Sequence, residues 1–143
     1  MRTILLLGLI FVSTAGAAAQ SNLAVGSLFD GRYRNSPDAT ETVISGEALK
    51  EYNLSIFRSI SLTGSNTRWQ EIEKMVRQDG HNAVSKEEKI VNGRILGAFY
   101  ELPSQNGKHR YLFYLNRILN GGDKVMIIYL EGKAGLKEVR ELL

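Results

Sequence analysis

Two histidines, His81 and His109, and a complete absence of cysteine bound the catalytic chemistry open to this 143-residue sequence. Without cysteine there is no thiolate nucleophile, and a serine nucleophile would need one of these two imidazoles as its base. His81 follows an Asp79-Gly80 helix stop and His109 sits just past an Asn106-Gly107 turn, so both read as surface loop residues. Neither has an acid recurring beside it at metal-ligand spacing, and zinc and calcium patterns are lacking, so no metal ligand is assigned. No GxGxxG or phosphate-loop string occurs, and Gly121-Gly122 reads as a turn, so no cofactor is expected.

What remains is a pair of carboxylates and a set of aromatic rings, and both depend on strand register. Asn92-Gly93, Asn106-Gly107 and Gly121-Gly122 punctuate residues 85–131, each flanked by β-branched and aromatic runs. Asn-Gly is a strong hairpin signal, because a type I′ turn needs positive φ at both central residues. The stretch therefore reads as a four-stranded antiparallel meander. Counting outward from two-residue turns places Ala98, Tyr100, Leu102, Tyr111, Phe113, Leu115, Met126, Ile128 and Leu130 on one face, the expected main core. The same count sets Phe99, Tyr114 and Tyr129 in a row across three strands on the other face. Glu101 and Glu131 flank Leu112 in the next row. One extra residue in a turn would exchange the faces.

Two chemistries follow. The row Phe99, Tyr114, Tyr129, with Glu101 and Glu131 beside it, is a candidate platform for a sugar ring, a peptide or a protein partner if it is exposed, and core if a helix covers it. Glu101 with Glu131 is the one carboxylate pair that the count brings together for acid/base hydrolysis. A third reading is a small-molecule pocket between sheet and helices, lined by Tyr100, Tyr111 and Trp69.

The remaining elements must position these groups. Apolar residues at Leu23, Val25, Leu28, Phe29 and Tyr33 recur at helical spacing from a Ser21 cap, and predict a short N-terminal helix. Glu41 to Ser45 and Leu54 to Leu62 alternate as strands, the second with Arg58 among apolar neighbours, its stem buried and its head reaching water. Ser65-Asn66-Thr67 offers caps for a helix carrying Trp69, Ile72, Met75 and Val76 and ending at Asp79-Gly80. Leu136, Val139, Arg140, Leu142 and Leu143 predict a short closing helix. The fold class expected is α+β: an antiparallel sheet with a C-terminal four-stranded meander and helices packed on the sheet.

The N-terminus carries Arg2, an apolar run from Ile4 to Val12 and small residues at 15–19, the signature of a secretory signal peptide over residues 1–19. Residues 20–143 then form one domain, exported to the periplasm or beyond, with no membrane span of its own. Removing Arg2 leaves 17 basic against 15 acidic residues, and with no block of like charge a nucleic-acid partner is not expected. A homo-oligomer is open. Three strings, 28–33 (LFDGRY), 110–116 (RYLFYLN) and 128–132 (IYLEG), together with the leader and the closing helix, resemble a family of small secreted proteins of unknown function from Bacteroidetes-type Gram-negative bacteria. That resemblance implies export and carries no assigned activity, so no catalytic residue is taken from it. A non-enzymatic binding or interaction module using a sheet face is the function expected, with a small hydrolase or a pocket protein as alternatives.

Overall fold

The computed structural model describes residues 22–64, 68–119 and 122–143. The signal-peptide segment 1–19, the Ser21 cap and the caps at 65–67 lie outside the described residues. Six strands form a single antiparallel sheet: β1 (Ala39–Ser45), β2 (Leu54–Gly64), β3 (Ser85–Val91), β4 (Arg94–Gln105), β5 (Lys108–Leu119) and β6 (Gly122–Gly132). Their spatial order is β1-β2-β6-β5-β4-β3. The expected meander is thus present as β3 to β6, and β2 closes onto β6. Between β2 and β3 runs α1 (Trp69–Gly80), and the chain ends in α2 (Leu136–Leu142).

The α+β expectation of helices packed on the sheet is not met. Roughly half of the described residues lie in strands, and the helices are few and small, with no helical layer packed on the sheet. The N-terminal helix shrinks to one 3-10 segment, Ala24–Phe29. Gly26 favours helix poorly and Gly31 takes φ +99°, a left-handed conformation that ends the segment before Tyr33. A second 3-10 segment, Gly46–Tyr52, had no clear periodic signal, and Asn53 stops it at φ 58°. What the short segments contribute is individual side chains: Val25, Leu28 and Phe29 from the first, with Ile72 and Val76 from α1, join the larger apolar cluster.

The turns set the register, with one exception that reorganises it. Asn92-Gly93 and Asn106-Gly107 both have positive φ at the two positions, as a type I′ turn requires. Leu119 pairs with Gly122, so Gly122 belongs to β6 and is not a turn residue. The β5–β6 pairing therefore shifts by two, Phe113 facing Ile128 and Leu115 facing Met126, and each side chain keeps its expected face.

The β4–β5 hairpin behaves differently. Gln105 pairs with Lys108 but Leu102 pairs with Arg110, so Pro103 and Ser104 oppose a single residue of β5. This is a β-bulge. Pro103 has no N–H to give to the ladder, which makes this a natural place for pairing to break. The extra residue exchanges the faces of β4 relative to β5. The expected single core is thereby divided: Ala98, Tyr100 and Leu102 leave the face of Tyr111, Phe113, Leu115, Met126, Ile128 and Leu130 and join Leu112, Tyr114, Ile127 and Tyr129 instead.

The second group forms the closed face of the sheet. Ile60, Tyr100, Leu112, Tyr114, Ile127 and Tyr129 are completely buried there. Full burial of side chains of this size contributes about 1.5–3 kcal/mol each. Tyr100 is pressed so closely on α1 that a Cβ on Gly80 would lie 2.5 Å from its ring. The opposite face holds Phe99, Tyr111, Ile128 and Leu130, joined by Leu49, Ala134 and Val139, and is only partly covered. Arg58 places its Nη2 on the Phe29 carbonyl (3.0 Å) and on Glu41 (3.3 Å), with its guanidinium over the Phe29 ring.

Candidate functional site

The bulge takes apart both constellations expected from the strand count. Phe99 now shares a face with Phe113, its register partner, while Tyr114 and Tyr129 point to the other side of the sheet. Tyr114 pairs with Ile127 and Tyr129 with Leu112, so the three rings do not form a row. Nor are they exposed: Tyr114 and Tyr129 are fully buried and Phe99 is 8% exposed. Burial pushes the Tyr114 hydroxyl up to about 12, and it accepts a hydrogen bond from Asn116 Nδ2. Phe99 stacks on Tyr111 at 6.0 Å between centroids and lies under the Arg140 guanidinium.

Glu101 and Glu131 are separated in the same way. Glu101 sits opposite Tyr111 on the partly covered face, within 3.3 Å of the Ser85 hydroxyl. Glu131 sits opposite Arg110 on the closed face and is 6% exposed. A two-carboxylate mechanism across this pair would have to act through the sheet. The pocket read from Tyr100, Tyr111 and Trp69 also dissolves: Tyr100 and Tyr111 lie on opposite faces, and Trp69 is covered by the Arg94 guanidinium at 3.6 Å. Tyr100 donates to Glu88 at 2.6 Å, and burial followed by that bond raises its pKa. Tyr111 donates to the Ala134 carbonyl at 2.8 Å, and burial pushes it up to about 12. His81 is exposed, and His109 packs at a tilt near Tyr111. Among the described residues no three histidine or carboxylate side chains gather as a metal site would require, and no helix is long and apolar enough to cross a membrane.

Two features emerge that the strand count missed. The first is a buried polar chain at the end of the closed face. Arg110, 4% exposed, donates from Nε to the Tyr129 hydroxyl (3.1 Å), from Nη1 to the Pro103 carbonyl (3.3 Å) and from Nη2 to Asn22 Oδ1 (3.3 Å). The Tyr129 hydroxyl in turn donates to Glu131 at 2.7 Å. Burial, and then the Glu131 bond, raise the Tyr129 pKa, so at neutral pH the phenol remains a donor. Beside it Asp79 accepts the backbone N–H groups of Ala24 (2.6 Å) and Val25 (2.9 Å). Burial raises the Asp79 pKa against the lowering pull of those bonds and of Arg110. Asp79, Arg110 and Asn22 border a cleft of about 430 Å³ between the end of α1 and the β4–β5 hairpin. The sequence cue was Pro103, four residues before the turn's glycine, since it marks where the ladder bulges and frees a carbonyl for Arg110.

The second feature is the partly covered face itself. Leu136, Val139 and Leu142 of α2 reach the cluster around Phe99, Tyr111 and Leu130. Phe57, the register partner of Leu130, and further along the strands Phe113, Leu115 and Met126 share this face and are only half-buried. Phe113 and Leu115 are two apart on β5, and Met126 is the register partner of Leu115. Phe113, Leu115 and Met126 form one apolar patch with Ser61 beside Met126, and Phe57 lies two rows away beside Leu130, with Ser59 and the buried Ile128 in the row between.

None of the curated proteins matches this chain. A family model does match, over residues 12–143, which takes in every strand and helix described above. On that match the chain belongs to DUF6108, a family of unknown function.

Proposed function

We propose that this chain is an exported, non-enzymatic interaction module that docks a protein partner on the partly covered face of its sheet. One observation carries the reading: the half-buried patch of Phe113, Leu115 and Met126, with Phe57 on the same face of β2, on a six-stranded platform. Contiguous apolar surface rimmed by polar side chains is characteristic of interaction sites. Methionine and phenylalanine together supply an adaptable and a rigid anchor. Export rests on the leader pattern at residues 1–19, with Arg2 ahead of the apolar run.

The test is oxidative footprinting of Met126 and Phe113 in the purified protein and, separately, in intact cells that produce it. Docking on this face predicts strong labelling in isolation and protection in the cell, with Leu115→Asp abolishing the protection while the protein stays folded. Equal labelling in both settings would sink the reading.

A further inference from the structure

The cleft on the opposite side of the molecule is independent of that docking face, and we propose that it is a binding site for a small uncharged polyhydroxylated ligand, a mono- or disaccharide. Its size, about 430 Å³, falls within the range of small-ligand sites. The chemistry of its wall selects the ligand class. Carboxamides line it from three directions: Asn22 before the first 3-10 segment, Gln78 and Asn82 around the end of α1, and Gln105 at the end of β4. The exposed carboxamides of Gln78 and Asn82 each present a donor and an acceptor side by side, the arrangement that neighbouring hydroxyls on a sugar ring match.

The two charged groups in the wall are of opposite sign and both already engaged. Asp79 accepts two backbone N–H groups, and Arg110 is held by Tyr129, Pro103 and Asn22. Neither an anion nor a cation finds an uncommitted counter-charge there, so a neutral ligand is favoured. Leu102 and Pro103 give the wall an apolar patch on which the C–H face of a sugar can rest. The carboxamide oxygen Oε1 of Gln105 is buried in this wall with no hydrogen-bond partner among the described residues. Buried acceptors of that kind are uncommon, and a turn of the half-buried Gln105 side chain into the cleft lets Oε1 take its missing donor from a ligand hydroxyl. The Pro103-Ser104 bulge re-aims the end of β4 and brings Gln105 to the rim, a use of bulges that recurs beside binding sites.

The experiment is a backbone-amide NMR titration of the purified protein with glucose, N-acetylglucosamine and maltose. N-acetylglycinamide serves as an uncharged peptide mimic and inorganic phosphate as an anion. The expected result is saturable shifts with at least one sugar, confined to Asn82, Ser104, Gln105 and their neighbours. Gln105→Leu and Asn82→Ala should each weaken that binding by about tenfold or more, equivalent to one strong hydrogen bond to a polar ligand. Asn82 is exposed at the rim, so its variant keeps the test available should Gln105→Leu disturb the hairpin. Absence of saturable shifts with every sugar, shifts mapping away from the cleft, unchanged affinity in both variants, or binding of the peptide mimic or phosphate in place of the sugars would each overturn the proposal.

Discussion

The same four meander strands and β2 build both faces of this sheet, yet one face buries its central rings completely and the other is half open. On the closed face, tyrosines are buried whole, and each hydroxyl has a partner: Tyr100 with Glu88, Tyr114 with Asn116, Tyr129 with Arg110 and Glu131. A phenol buried with its hydrogen bond made adds apolar area without the cost of a stranded donor. On the half-open face Tyr111 is anchored in the same way, on the Ala134 carbonyl, but the rings beyond it, Phe57 and Phe113, are phenylalanines with no hydroxyl to tie down. The cover on that face is one seven-residue helix and a 3-10 segment. Stability is therefore concentrated on one side of the sheet, leaving the other free to carry apolar residues that contribute less to the fold.

Breaking that asymmetry is most direct with a matched pair of truncations on adjacent residues of β5. Tyr114→Ala, on the closed face, should cost about 3–5 kcal/mol in urea denaturation, whereas Phe113→Ala, half-buried on the other, should cost about 1–2 kcal/mol. Equal losses would show that the two faces bear the fold alike. Glycine substitution gives a smaller effect of unusual sign. In a helix, Gly→Ala normally stabilises by about 1 kcal/mol. At Gly80 the new methyl would meet the Tyr100 ring at 2.5 Å, so Gly80→Ala should instead destabilise by about 1–3 kcal/mol. A stabilised Gly80→Ala would mean that Gly80 and the Tyr100 ring can part at little cost.

How much of this was legible in the sequence follows from the range of the signals. Asn92-Gly93 and Asn106-Gly107 are local cues, and they located the hairpins because tolerance of positive φ belongs to the Asn and Gly residues themselves. The period-2 pattern of Leu54 to Leu62 likewise identified β2. Face assignment is not local. It depends on every residue between turn and ring, so one bulge at Pro103-Ser104 sent Phe99 and Glu101 to one side while Tyr114, Tyr129 and Glu131 stayed on the other. The cleft was less legible still, since Asn22, Asp79 and Arg110 come from three distant segments with no shared spacing. Asp79 read as a helix stop. In the fold its carboxylate also ties α1 to the first 3-10 segment.

The buried tyrosines, three of them on the closed face, make the fold sensitive to alkali. Tyr111 and Tyr114 are pushed up to about 12, and Tyr100 and Tyr129 are raised as well, all from an ordinary value of 10.0. The folded state therefore holds these protons where the unfolded chain releases them. Their contribution is complete below pH 10.0 and is lost as pH climbs from there through the folded values. Near-ultraviolet absorbance should show phenolate appearing in step with unfolding. Phenolate forming ahead of unfolding would mean that the sheet admits water to its buried rings.

Asp79 gives the smallest effect and the finest probe of the closed face's edge. Its folded pKa is raised above 3.8 chiefly by burial, so the folded state binds its proton more tightly than the unfolded chain does. The protonated carboxyl's contribution is complete below 3.8 and is lost as pH rises through the folded value. A carboxamide in its place has no such proton to bind. Asp79→Asn should therefore be increasingly less handicapped relative to the wild type as pH rises across that window. Urea midpoints measured for both proteins at a series of acidic pH values will show the difference between them changing in that direction. If the difference moves the opposite way, the two backbone N–H groups and Arg110 outweigh burial, and the carboxylate is a stabilising clamp in its charged form.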